Sequence, residues 1–92
     1  MSFKGKATII TGANKNLGKK TAIAFAQEGS DLLLHCHSAK SKTECEQLAD
    51  ELTKRYGIRS TVYQGDLTEE KANKELFAQA IQKFGKVDYA IN

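Results

Sequence analysis

Four short apolar runs in this chain are separated by stretches with helical periodicity, and that alternation leaves few folds open. The first run, Ala7 to Thr11, is β-rich and nearly all apolar, as a strand buried on both faces should be. Leu17 to Glu28 has helical composition and stops at Gly29, the residue type favoured just past a helix end. Asp31 to His37 reads as a second buried strand. Ser41 and Glu44 have the spacing of a capping box and open a second helix. Its apolar residues Cys45, Leu48, Ala49, Leu52 and Tyr56 recur every three or four positions, and Gly57 ends it. Arg59 to Gln64 forms a third strand. A third helix runs from about Glu69 to Phe84, with Ala72, Leu76, Phe77, Ala80, Ile81 and Phe84 on one face. After Gly85, Val87 to Asn92 begins a fourth strand.

The order is therefore βαβαβαβ. A helix in every connection forces the strands to run parallel, with right-handed crossovers. The expected fold class is α/β: a doubly wound, Rossmann-like parallel sheet with helices on both faces. A fourth strand with no helix after it would leave one face uncovered and backbone groups unpaired at a sheet edge. The expectation is that residues 1–92 are the N-terminal part of a single longer domain.

Charge and composition exclude several classes of function. The net charge of +3 is spread over helix faces that also carry Glu and Asp, the pattern of a solvated surface. A nucleic-acid binder would show a basic stripe, so no nucleic-acid partner is expected. No apolar run approaches the roughly 18 residues a membrane span requires, and MSFKGKATII lacks the layout of a signal peptide. No membrane association is expected, and the location is read as cytoplasmic. Cys36 and Cys45 are accordingly read as free thiols. In the run His35-Cys36-His37, strand alternation sends the histidines to one face and the cysteine to the other, so the three cannot meet one metal ion. No metal site is expected.

The chemistry lies in TGANKNLG, residues 11–18, between the first strand and first helix. Backbone N–H groups in a first helical turn have no intrahelical partners, and the helix dipole adds partial positive charge there. A turn at this place is an anion site. Gly12 allows the chain to turn sharply, and Gly18 allows the helix to pack closely. A nucleotide-triphosphatase loop would end Gly-Lys-Ser/Thr, but Gly18 is followed by Lys19 and Lys20. The spacing also misses G-x-G-x-x-G and suits the longer form T-G-x-x-x-G-x-G.

With that spacing, the chain resembles the short-chain dehydrogenase/reductase family over nearly its whole length. TGANKNLG is similar to the family's glycine motif, with Thr11, Gly12 and Gly18 in place and Asn16 where its middle glycine usually stands. Were that position left-handed, asparagine would be among the best replacements for glycine, and binding is expected to survive. GDLT at 65–68 resembles the family's short motif after the third strand. The resemblance implies that Asp66 hydrogen-bonds the adenine amino group with the Leu67 backbone nearby. VDYAIN resembles the approach to the family's N-N-A-G motif, with Asn92 as its first asparagine. The implied cofactor-binding set is Gly12, Asn14, Lys15, Asn16, Leu17, Gly18, His37, Ser38, Asp66, Leu67 and Asn92. Residues 1–92 would be the N-terminal part of one NAD(P)-binding domain.

NADP is the expected cofactor, and NAD the less favoured one. NAD-preferring folds carry Asp or Glu at the end of the second strand. By alignment with the family that position falls on Cys36, and no carboxylate lies between Asp31 and Glu44. A carboxylate there would repel a 2′-phosphate. Lys15, Asn14, His37, Ser38 and Lys40 lie where donors to that phosphate would stand.

The resemblance implies carbonyl/alcohol oxidoreduction of a small molecule, performed with a tyrosine and a lysine four residues later. No tyrosine here fits: Tyr56 is followed at that spacing by Ser60, Tyr63 by Leu67, and Tyr89 by no residue. No catalytic residue is assigned, and the 92 residues alone are expected to be inactive. Alternatives are a non-catalytic dinucleotide-binding protein of the same fold and a stand-alone module of flavodoxin-like build. Substrate identity is not legible, and a homo-oligomeric full-length protein is compatible with the sequence.

Overall fold

The computed structural model describes residues 2–92. The elements follow the expected order: β1 Ala7–Ile10, α1 Asn16–Gln27, β2 Asp31–Cys36, α2 Ala39–Tyr56, β3 Ser60–Gln64, α3 Glu70–Phe84 and β4 Tyr89–Ile91. All pairings are parallel, and the strand order is β3-β2-β1-β4. This is the Rossmann-like α/β arrangement that the alternation of helices and strands demands.

Strand alternation divides the core between the two faces of the sheet. Ile10, Leu32, Leu34 and Cys36 pack with Ala22 and Ala26 of α1 and with Cys45, Leu48 and Leu52 of α2. On the other face, Ile9 and Leu33 meet Leu76 and Ala80 of α3. Leu32, Leu33 and Leu34 are all fully buried, which is why DLLLHC shows no polar alternation. Each such leucine contributes about 2 kcal/mol relative to an exposed one.

Polar groups anchor the base of the sheet. Asp31 accepts from the Arg59 backbone N–H at 2.8 Å and from its guanidinium at 2.8 and 3.0 Å, tying β2 to the entry of β3. Asp88 links β4 to β1: its carboxylate accepts from Ala7 N at 2.8 Å, and its own N–H donates to Ala7 O at 2.8 Å.

One local expectation needs correction. Helix α2 begins earlier than Ser41. Ser38 is the N-cap, and Ser41 stands at the third helical position of a capping box formed by the two serines. The Ser38 and Ser41 hydroxyls lie 2.6 Å apart, and each accepts a hydrogen bond from the other residue's backbone N–H. A serine hydroxyl can play the part expected of Glu44 because it both donates and accepts. In α3, Ala72, Leu76 and Ala80 are buried, but Phe77 is 41% and Ile81 53% exposed. The apolar stripe is wider than the sheet surface it meets, so one of its edges stays in water.

Candidate functional site

The functional geometry follows from strand order. From β1 the chain moves to β2 on one side, while β4 lies on the other, so the order reverses between β1 and β4. In open α/β sheets this reversal leaves a crevice at the carboxyl ends of the strands. A cleft of about 340 Å³ lies there, lined by Thr11, Gly12, Lys15, Gly18, Ile91 and Asn92 among others. Thr11 closes its base, with N–H donating to Ile91 O at 3.0 Å and its hydroxyl to Asn92 Oδ1 at 3.3 Å.

The glycine turn is tight. Gly12 has φ +60°, in the left-handed region, and the Lys15 N–H donates back to Gly12 O at 3.0 Å. Gly18, in the first turn of α1, lies directly against that bend. A Cβ there would stand 2.3 Å from Gly12 O and 3.1 Å from Ala13 Cα. Both obstacles are backbone, so the space between turn and helix is open only to glycine. Lys15 is the N-cap of α1 but makes no side-chain cap, and no acid stands in the first turn. No acid in the first turn of α1 competes for the donors and dipole of this helix end.

The condition under which Asn16 would stand in for a left-handed glycine does not arise. Asn16 is the first residue of α1, and no residue other than glycine has positive φ among the described residues. The left-handed bend sits at Gly12 instead, so position 16 does not demand glycine. Its side chain is exposed, as are Lys15 and Leu17.

The remaining expected site residues fall into separate groups. Asn14 lines a smaller cavity of about 180 Å³ with Lys19, Glu44 and Glu51, whereas Lys15 faces the larger cleft. His37 and Asp66 come together, with Nε2 and Oδ1 3.7 Å apart. Asp66 Oδ1 accepts from the Thr68 hydroxyl at 2.7 Å and its N–H at 3.0 Å. Those bonds hold the Asp66 carboxyl below the usual carboxylate range, with His37 adding a smaller pull in the same direction. Leu67 packs against the α3-side core, and its carbonyl accepts from Asn73 Nδ2 at 2.6 Å. Ser38 is engaged in the α2 cap, beside an exposed Lys40.

Cys36 is fully buried and packs towards α2, its Sγ donating to Tyr63 O at 3.6 Å. Burial raises its thiol pKa, and burial with the neighbouring Cys36 thiol pushes Cys45 up to about 12. Both thiols therefore stay protonated and unreactive near neutral pH. Among the described residues, no group of three or more His, Cys, Asp or Glu is placed to hold a metal ion, and no helix is long and apolar enough to cross a membrane.

Sequence reasoning missed the role of His35. In the sequence it is considered as a metal ligand and rejected, but its ring is buried between two loops, with Nδ1 3.2 Å from Gly12 N and Nε2 2.8 Å from Gly65 O. The available signal was a single imidazole at the end of an otherwise apolar strand, which must find partners when buried.

A glycine-tight turn at the switch point of a parallel sheet is a geometry that dinucleotide-binding folds use. Residues 6–92 match the family model described as short chain dehydrogenase. The chain belongs to the short-chain dehydrogenase family. Among solved structures it resembles a short-chain dehydrogenase from Oenococcus oeni, with 45% identity and a TM-score of 0.89, matching 97% of this chain to 40% of that one. It also resembles the NADPH-dependent 3-quinuclidinone reductase from Rhodotorula rubra, with 36% identity and a TM-score of 0.86, over 96% of this chain and 32% of that one. A probable NADP-dependent mannitol dehydrogenase of Yarrowia lipolytica is 40% identical over 98% of this chain and 31% of its own length. The chain spans about a third of the length of the curated short-chain dehydrogenase relatives it matches.

Proposed function

We propose that this chain is the cofactor-binding part of an NADP(H)-dependent short-chain oxidoreductase acting on a carbonyl or alcohol substrate. The observation that carries the reading is the cradle between Gly12 and Gly18, which a single Cβ would fill, opening onto the crevice between β1 and β4. The residues fit a dinucleotide. The first-turn N–H groups of α1, with Gly12 and Gly18, would hold the pyrophosphate. Asp66, half-buried and with its carboxyl held below the usual carboxylate range, would accept from the adenine amino group. When bound, the nicotinamide supplies hydride transfer chemistry, and the chain's contribution is binding and orientation.

Two features favour NADP over NAD. Lys15 places an exposed positive charge beside the turn. The last position of β2 is the uncharged Cys36, with the exposed donors His37 and Ser38 after it. The relatives named for NADP or NADPH support the same choice. No tyrosine among residues 1–92 has a lysine four positions on. We therefore assign the catalytic groups to the rest of the protein, and residues 1–92 to the N-terminal portion of its NAD(P)-binding domain.

Separate titrations of NADPH and NADH into the chain, followed by calorimetry, test this reading. NADPH should bind at least tenfold more tightly, corresponding to about 1.4 kcal/mol. Equal affinities, or a preference for NADH that survives Lys15→Ala, would refute the NADP assignment.

A further inference from the structure

The mechanism just proposed makes no use of His35, yet this residue joins the two loops that matter most. It lies on β2, between the β1–α1 glycine turn and the β3–α3 loop that carries Asp66, and is 6% exposed. Gly12 N is 3.2 Å from Nδ1, and Gly65 O is 2.8 Å from Nε2. A backbone N–H only donates and a backbone carbonyl only accepts. The partners therefore fix the ring: Nδ1 is bare and accepts from Gly12, while Nε2 carries the proton and donates to Gly65. Both contacts require the neutral imidazole, because a charged ring would turn an N–H towards the Gly12 N–H.

The main chain doubles each connection. His35 O accepts from Ala13 N at 3.0 Å, and Cys36 O accepts from Gly65 N at 3.0 Å. The glycine turn and the Asp66 loop are thus fastened to the same two residues at the end of β2. Gly12 carries the left-handed bend of this turn, and with its N–H held by His35 the bend sets how the following backbone N–H groups are presented to an anion.

We infer that His35 is a positioning residue for the cofactor site: its neutral, Nε2-protonated ring sets the glycine turn and the Gly65–Asp66 loop at a fixed separation. As a cofactor-positioning role, this rests on the dinucleotide reading above. As a clamp between two loops it is measurable with no ligand present. The side chain works through its neighbours and touches no reacting atom.

The variants separate the two links. His35→Phe keeps the ring volume and removes both. His35→Asn places an amide oxygen near the position of Nδ1 and retains the Gly12 link alone. His35→Gln reaches towards Nε2 and retains the Gly65 link alone.

Nitrogen-15 NMR of the ligand-free chain should show the Nε2–H tautomer of His35 at neutral pH and a through-hydrogen-bond coupling between Gly12 N and His35 Nδ1. NADPH affinity should fall about tenfold in His35→Phe and return to within about threefold of the parent in His35→Asn, with His35→Gln between them. Should His35→Phe fail to fold, as judged by circular dichroism, the Asn and Gln variants and the coupling still decide the matter. An Nδ1–H or charged ring, absence of the Gly12 coupling, or unchanged NADPH affinity in folded His35→Phe would overturn the inference. If the parent chain fails to bind NADPH but shows the tautomer and coupling, the clamp stands and the dinucleotide reading fails.

Discussion

Replacing Gly18 with alanine weakens NADPH binding by about 100-fold, which corresponds to about 3 kcal/mol. The new methyl carbon would lie 2.3 Å from Gly12 O, where ordinary contact needs more than 3 Å, and 3.1 Å from Ala13 Cα. Neither obstacle is a side chain that can swing away, so either the turn or the start of α1 must move. Strain of this kind in a packed site costs about 1–3 kcal/mol. Both segments that must shift belong to the proposed pyrophosphate cradle, so affinity should suffer more than stability. Most of the sheet core, including Leu32, Leu33, Leu34 and Leu76, lies away from Gly18, although Ala13 is itself buried with Ile10 and Ala22. A thermal melt of Gly18→Ala should therefore remain cooperative while calorimetry reports the lost affinity. Wild-type affinity in Gly18→Ala would show that the cradle is not the pyrophosphate site.

Charge reversal at Lys15 should separate the two cofactors. On the NADP reading, Lys15→Glu changes the local charge by two units beside the 2′-phosphate, which would carry close to two negative charges. At about 4 Å, one pair of unit charges in water interacts by about 1 kcal/mol. Salt screening at an exposed site reduces the total, leaving about 2 kcal/mol. NADPH affinity should fall about 30-fold, while NADH, lacking the 2′-phosphate, should change by less than about threefold. The effect on NADPH should shrink as ionic strength rises. An equal loss for both cofactors would place Lys15 at the pyrophosphate or at no phosphate-specific position.

The order of elements was legible because each signal is local. Continuous apolar runs such as ATII and DLLL mark strands buried on both faces, and Gly57 and Gly85 occupy the left-handed positions that end α2 and α3. The glycine turn was legible for the same reason: its function depends on its own backbone and on the strand before it. What could not be read depends on which distant residues meet. Ser38 and Ser41 are three apart and either can cap a helix, so the choice between them rests on where the chain leaves β2. Phe77 and Ile81 share the helical period of Leu76 and Ala80, but periodicity does not say how much sheet lies beneath. Cys36 faces α2, where Cys45 meets it, and His35 faces the two loops; neighbouring positions on one strand point to opposite sides. His35 had partners 23 and 30 residues away, and no spacing rule connects it to Gly12 and Gly65.

Cofactor-induced shifts of assigned backbone amides test the central claim most directly, because they locate the ligand as well as detecting it. On titrating NADPH into the nitrogen-15-labelled chain, the amides of Gly12, Leu17 and Gly18 should shift most. Asp66 and Leu67 should follow with the same affinity, while residues along α3 stay in place. Saturable shifts confined to other surfaces, or none in residues 12–18, would contradict the assignment of this crevice as the dinucleotide site.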